Sequence, residues 1–269
     1  ADLSADFVAL LTPEQVTALT DKQVKAMVSE QFAAMTNEQL AALDAKDLVG
    51  LSADELNILS ADQFNALSVE QIKALSVAQI THLDDEIIQG MGEEQIQALT
   101  AAQVKALTVD SDGVVPLAAA KAGRTAGKSV VMGTGDATPG QITKFSADQM
   151  AMFNTEQVKV FTAAQIGALS AEQVAGLTDE QVGAMSVAQV AAFTEAQAPS
   201  LTAEHVAAMS SAMVAALHTD TLAAMGADVV ASLATTNGGD GKKQIQALTT
   251  AQIQALTTEQ VQALRAGVL

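Results

Sequence analysis

The chain has no cysteine, no tryptophan and no tyrosine, and only seven phenylalanines and four prolines among 269 residues. Without cysteine there is no disulfide, no thiolate metal site and no cysteine nucleophile. With so few aromatics, a core has to be made of Leu, Val, Ile, Met and Ala, in thin layers that suit short elements. No stretch approaches the roughly twenty consecutive apolar residues of a transmembrane helix, so nothing here spans a bilayer in that way. Positive charge is scarce as well. Thirteen Lys and Arg stand against 31 Asp and Glu, a net charge of −18, which argues against nucleic acids and anionic membranes as partners. What remains is apolar residue in quantity, 49 % of the chain, enough to support a core and to argue against disorder.

Those apolar residues recur every eight positions. Leu248 to Ala263 reads LTTAQIQA LTTEQVQA, an octad of Leu, Thr/Ser, any, Glu/Ala/Asp, Gln, Val/Ile, any, Ala. Each octad carries the start signals of a helix. The hydroxyl at position two is an N-cap, and the glutamine three residues on completes a capping box. Positions one and six are then the two ends of a hydrophobic staple, Leu256 against Val261 in the last clear octad. Acid gathers at positions three and four, as at Glu14, Glu70, Glu156, Glu172 and Glu180, where a first-turn carboxylate is favoured by the helix dipole.

Eight residues overshoot two helical turns by about 80°, so a continuous helix would smear positions one and six around its surface. Coiled coils need seven or eleven. The chain must break at each new cap, leaving helices of about six residues, roughly 9 Å long. Pieces this short do not persist alone and must stack. The expected fold is therefore all-α, a solenoid of very short capped helices in eight-residue repeats, with two octads per coil. A β-solenoid is the rival, because Val261 and Ala263 alternate with Gln260 and Gln262. Gln, Glu, Ala and Leu favour the helix, and a capping box has no meaning in a strand.

Register divides the chain. A first array covers 3–108. Residues 109–136 lose the octad and hold Gly-rich and β-branched runs with Lys121, Arg124 and Lys128, as an inserted loop or β-arm would. A second array covers 137–233 and begins with the degenerate octad Ala137–Lys144. Pro199 should end its helix early. A small loop at 234–243 slips the frame by one residue, and 244–269 closes the chain with C-terminal repeats. The chain starts at Ala1 without Met or a signal peptide, as a processed product or a piece of something longer would.

Motifs for chemistry are few. GRTAGKS at Gly123–Ser129 is one residue short of a phosphate loop. DSDG at Asp110–Gly113 resembles half of a calcium loop and makes Asp110 and Asp112 the metal candidates, with calcium as the one cofactor considered. His82, His205 and His218 fall at octad positions eight, five and two, with no metal spacing between them. Ser, Thr and Asp recur at caps, which a catalytic residue has no reason to do, so no enzyme is expected. A column of Thr and Ser also suggests ice binding, but capping uses up position two.

The units LTTAQIQALTTEQVQAL resemble repeats of large secreted proteobacterial surface proteins, the adhesin-like and repeats-in-toxin-like families, over most of the chain outside 109–136. That resemblance implies an extracellular or cell-surface location, often with calcium, and carries over no catalytic residue. LTPEQV at Leu11–Val16 is similar to the helix start of DNA-reading effector repeats, but those are far longer and basic. The expected function is a non-enzymatic structural subunit of an extracellular filament, surface layer or biofilm matrix. Its alternative is an adhesin-type scaffold presenting its surface to a protein or glycan ligand. The partner expected first is the chain itself. The opening octad, with Leu3, Phe7 and Leu10, and the closing residues Val268 and Leu269 are as apolar as interior ones, so they form the expected assembly ends.

Overall fold

The computed structural model describes residues 4–109, 140–235, 237, 241 and 243–268, the last two without their side chains. Almost every octad there is one short helix, from four residues in Val77–Ile80 to six in Val69–Ala74. Each starts where the sequence marks it. The Ser68 hydroxyl accepts from the Gln71 backbone N–H (3.3 Å), and the Gln71 side chain accepts from the Ser68 N–H (2.7 Å). The end is equally local. The position-one N–H bonds back to the position-six carbonyl, as from Leu75 to Ile72 at 3.3 Å, and Leu75 and Ser76 then run extended into the next cap.

The chain forms two compact units, Ala1–Leu107 and Thr108–Leu269. In the first, the helix Ala45–Val49 packs between Asp21–Val24 and Val69–Ala74. In the second, Asp179–Ala184 packs between Thr155–Val160 and Ala203–Ala208. These neighbours are three octads apart. A coil therefore holds three helices, not the two expected from the repeat alone. The reason lies in the corner, where two extended residues redirect the chain without reversing it, so three corners are needed to close a turn. Within one coil of the second unit, Phe145, Phe153 and Phe161 at position one meet edge to face, each neighbouring pair of rings 5.2 Å apart. Position one thus points to the coil axis. Position six is buried between coils, as at Val24, Leu40, Ile72, Val158 and Val190.

Position eight is small because coils touch there. A Cβ on Gly176 would overlap the Ala147 carbonyl, and one on Gly90 would overlap the Ala61 methyl. The proline behaves as its chemistry requires. The octad Phe193–Ser200 makes no α-helix, only a turn and the 3₁₀ segment Ala198–Ser200. Among the described residues there is no strand, only an isolated antiparallel bridge between Asn237 and Lys243.

Candidate functional site: the corner ladder and the two insertions

The position-five glutamine does more than cap. Its backbone N–H and Oε1 serve the capping box, which leaves Nε2 free to donate. In the first unit Gln71 Nε2 donates to the Leu40 and Leu43 carbonyls, both at 2.8 Å. Gln79 repeats this with Leu48 (2.7 Å) and Leu51 (2.9 Å), and Gln103 with Ile72 (2.9 Å) and Leu75 (2.8 Å). In the second unit Gln173 bonds Ile142 and Phe145, both at 2.8 Å, and Gln189 bonds Val158 (2.7 Å) and Phe161 (2.9 Å). In these five the acceptors lie 31 and 28 residues back, at the corner of the preceding coil. The first of the two is the position-six carbonyl, which also accepts the position-one N–H of its own octad, and the second is the position-one carbonyl at the corner. One buried amide thus satisfies the start of its own helix and the corner beneath it, so the glutamine column is a ladder joining coil to coil.

Substitutions at position five show what the ladder needs. His205 replaces glutamine and stays buried. Its Nδ1 accepts from the Thr202 N–H (3.3 Å) and its Nε2 lies 2.7 Å from the Leu177 carbonyl, the geometry of the Nε2-protonated tautomer. Thr221 keeps one donor, its hydroxyl bonding the Phe193 carbonyl at 2.8 Å. Ile87 keeps none, and help comes from the coil below. Asn57, at position seven, accepts from the Asp84 N–H at 3.0 Å and donates to the His82 carbonyl at 2.7 Å. Asn65 does the same one octad on, accepting from the Gly92 N–H (2.9 Å) and donating to the Gly90 carbonyl. Gly92 has no capping side chain of its own, and Asn65 takes the N–H that the position-five Oε1 receives in an ordinary octad. At Val28, another octad without a hydroxyl, the Gln31 half of the box persists, with Val28 N–H to Oε1 at 2.7 Å.

Both insertions enter at the same step of an octad. The Thr108 hydroxyl accepts from the Gln141 N–H (3.1 Å), and the Ile142 N–H bonds the Thr108 carbonyl (3.1 Å). These bonds of an ordinary cap are closed here across residues 109–139. The octad read as Ala137–Lys144 draws its cap from Thr108 instead, and Ala137–Pro139 lie outside the described residues. At the second insertion Gln244 reaches the Val206 and Met209 carbonyls 38 and 35 residues back. The excess over the usual 31 and 28 is seven residues, which is why the eight-residue frame slips by one. The helix Ala227–Thr235 runs on past the buried Leu233 into this insertion.

The expected site residues fall unevenly. Leu3, Asp110, Asp112, Leu269 and the Val268 side chain lie outside the described residues. Phe7 is 48 % and Leu10 81 % exposed. His82 lies in a corner, its Nδ1 2.8 Å from the Ala78 carbonyl, and His218 caps Thr219–Ala224 through Nδ1. The three histidines are therefore held by separate corners. Among the described residues no group of three His, Asp or Glu side chains is arranged to hold a metal, and no helix is long and apolar enough to cross a membrane. Three of the first-turn acids are held down as carboxylates by local hydrogen bonds. Glu14, Glu38 and Glu172 sit below the usual glutamate range, held there by the N–H of their own backbone and then by the hydroxyls of Thr12, Thr36 and Ser170. Lys46 sits above its usual range, bonded to Asp21 and Asp44. The ladder was missed in the sequence because glutamine at position five is already explained by the capping box. Its constancy, greater than capping alone demands, is the signal that could have exposed it.

The geometry defines a repeat protein of the all-α solenoid class. Three segments, residues 40–77, 158–187 and 243–266, match the model of the ALTTAQ repeat family. The first two lie within the octad arrays described above, and the third begins at the last residue of the small loop and covers the C-terminal repeats. A comparison with curated proteins gave no match.

Proposed function

We propose that the chain is a non-enzymatic structural subunit of an extracellular filament, surface layer or biofilm matrix, and that copies stack head to tail. The observation that carries the reading is a pair of complementary faces. The first coil turns outward Phe7, Leu10, Gln15 and Gln23, although position-five residues of later coils such as Gln39 and Gln71 are buried. The last coil turns outward Ile253 (55 % exposed) and Val261 (42 %), although position-six residues of interior coils are buried. One face offers amide donors, the other corner carbonyls and aliphatic side chains. A second copy would continue both the ladder and the core. Contacts that join one face to a different one do not close on themselves, so they build filaments. The extracellular setting is supported by the resemblance to secreted surface-protein repeats. Light scattering against protein concentration tests the assembly. Mass should rise with concentration and fall when Val261 is replaced by Lys, while a chain that stays monomeric throughout sinks the reading.

A second reading, a scaffold for a protein or glycan ligand, is favoured by one feature of the first unit. Val49, Ser52, Asp54, Ser76 and His82 line a shallow depression there, with exposed Val77 nearby in sequence. Glycan-array binding that is lost in Asp54→Ala would favour it over assembly.

A further inference from the structure

We propose that Asp47 is a proton-operated joint in the corner ladder. Its neutral carboxyl takes the place of a glutamine amide, and its ionised form loosens the packing of Ala45–Val49 on Asp21–Val24.

Asp47 stands at position five of the octad Leu43–Gly50, is 3 % exposed, and has a buried Oδ1 with no hydrogen-bond partner. The ladder register, 31 and 28 residues back, assigns it the Val16 and Leu19 carbonyls. A carboxylate has nothing to donate to a carbonyl, and burying its charge without a donor is costly. A protonated carboxyl is a donor. The aspartate side chain is also one methylene shorter than glutamine, so the joint is loose before any charge is considered. The neighbouring corner adds no support. Glu55, at position five of the next octad, directs Oε2 to the Ser52 N–H (2.7 Å) and hydroxyl (2.8 Å), and as a carboxylate it cannot donate onward.

The charges around Asp47 oppose one another, with Asp21 and Asp44 raising its carboxyl and Lys46 and Lys25 lowering it, and burial adds to the aspartates. Asp21, on the helix beneath, and Asp44, the N-cap of its own helix, are both negative. Lys46 is drawn away from the buried carboxyl into exposed pairs with them, at 3.2 Å and 3.3 Å. Lys25 follows the lower helix and packs along Gly50. Lys22 on the lower helix, and Glu70 and Lys73 on Val69–Ala74 above, are exposed. Burial first, and then the Asp21 charge, hold the Asp47 carboxyl above the usual aspartate range against the pull of Lys46. A carboxyl raised in the folded state stabilises that state fully below the unfolded value. The gain is lost as pH rises through the folded value. The joint is therefore firmest below the ordinary aspartate value and weakens as pH rises through the raised one. It operates within one copy, so it does not depend on assembly.

The test is amide hydrogen exchange on the full chain at about pH 4, near the unfolded aspartate value, and at about pH 8, corrected for intrinsic rates and followed at Val24, Lys25 and Leu48. Protection in the wild type should fall at the higher pH, by about tenfold for each unit that the carboxyl is raised. Asp47→Gln should make protection independent of pH and higher than wild type at the upper value. Asp47→Asn, which removes the charge without adding length, should also remove the pH dependence. Equal wild-type protection at both pH values, or a pH dependence that survives in both variants, overturns the proposal. So does a carbon-13 titration of the Asp47 carboxyl with a midpoint at or below the ordinary aspartate value.

Discussion

In the unit Ala1–Leu107 the octad that carries Ile87 at position five is served from the coil below, Asn57 reaching up to its corner. In the unit Thr108–Leu269 the replacement does the work itself, through the His205 imidazole and the Thr221 hydroxyl. The two repairs treat different halves of one problem. An octad corner presents an N–H that needs an acceptor and carbonyls that need a donor. Asn57 satisfies the N–H of its upper corner and a carbonyl beside it. His205 serves its own cap and the carbonyl beneath. Ile87 itself remains apolar and buried. The fold thus tolerates loss of the glutamine wherever the orphaned backbone groups find another partner, which is the constraint that governs buried polar groups generally.

The largest effect should come from breaking an unrepaired rung. Gln189→Leu leaves the Ser186 N–H without its side-chain acceptor and withdraws the amide donor from the buried Val158 and Phe161 carbonyls, of which Val158 keeps the Phe161 N–H. With about 1–3 kcal/mol for each of the two groups left unmatched, a loss of about 2 kcal/mol or more is expected in denaturant unfolding. Gln23→Leu in the exposed first coil should cost less than about 1 kcal/mol, since only its capping role is lost. Equal costs at the two sites would mean that the bonds between coils contribute nothing.

The repairs come next in size. Asn57→Ala removes the acceptor of the Asp84 N–H and the donor to the His82 carbonyl in a partly exposed corner, so about 1 kcal/mol is expected. Adding Ile87→Gln, which supplies the acceptor from within the octad, should recover part of that loss, and a double-mutant cycle reads the coupling. His205→Gln should change stability by less than about 1 kcal/mol, because one donor and acceptor pair replaces another. A large loss there would show that the imidazole fills space that the amide does not.

Helix type, helix starts and the burial of positions one and six were legible in the sequence, because capping and periodicity are local and repeat many times over. Three octads per coil were not. The angle of a corner depends on how Leu75 and Ser76 sit in extended backbone, and no single residue type announces it. The ladder was hidden by a double role, since Gln71 reads as a capping residue and nothing local reveals its bonds to Leu40 and Leu43. The split octad at Thr108 and Gln141 left a trace, an LT with no glutamine after it and a GQIT with no cap before it. Reading Ala137–Lys144 as a unit masked it. The staple pair Leu256 and Val261 was correctly placed in register but lies in the last coil, where Val261 is 42 % exposed. Periodicity assigns a residue to the core without saying whether a further coil covers it.

A single cap is a smaller lever than a rung. Thr178→Val removes the hydroxyl that accepts from the Gln181 N–H at 3.2 Å while the amide keeps its bonds to the coil below. About 1 kcal/mol is expected, the usual cost of a lost N-cap. If the loss matched that of Gln189→Leu, capping rather than the ladder would be what joins the coils.

The smallest effect sharpens the comparison through its sign. Glu172 in the second unit is held below the usual glutamate range by its own backbone N–H and the Ser170 hydroxyl. A lowered carboxylate contributes stability that is present above its unfolded value and is lost as pH falls through the folded one. In the first unit Glu14 and Glu38 act in this direction while Asp47 acts in the other. Acidification from about pH 6 to about pH 3, across the carboxylate range, should therefore loosen the corner of Ser170 and Gln173 while the corner of Asp44 and Asp47 first tightens. Hydrogen exchange resolved by segment reads both corners in one sample. Glu172→Gln should flatten the acid response of its own corner only, because the carboxylate is exposed and its influence fades within about a Debye length. Asp47→Asn should leave the first unit with the same sign of response as the second. Two units that respond identically in the unsubstituted chain would show that the buried carboxyl has no bearing on how its coils are held.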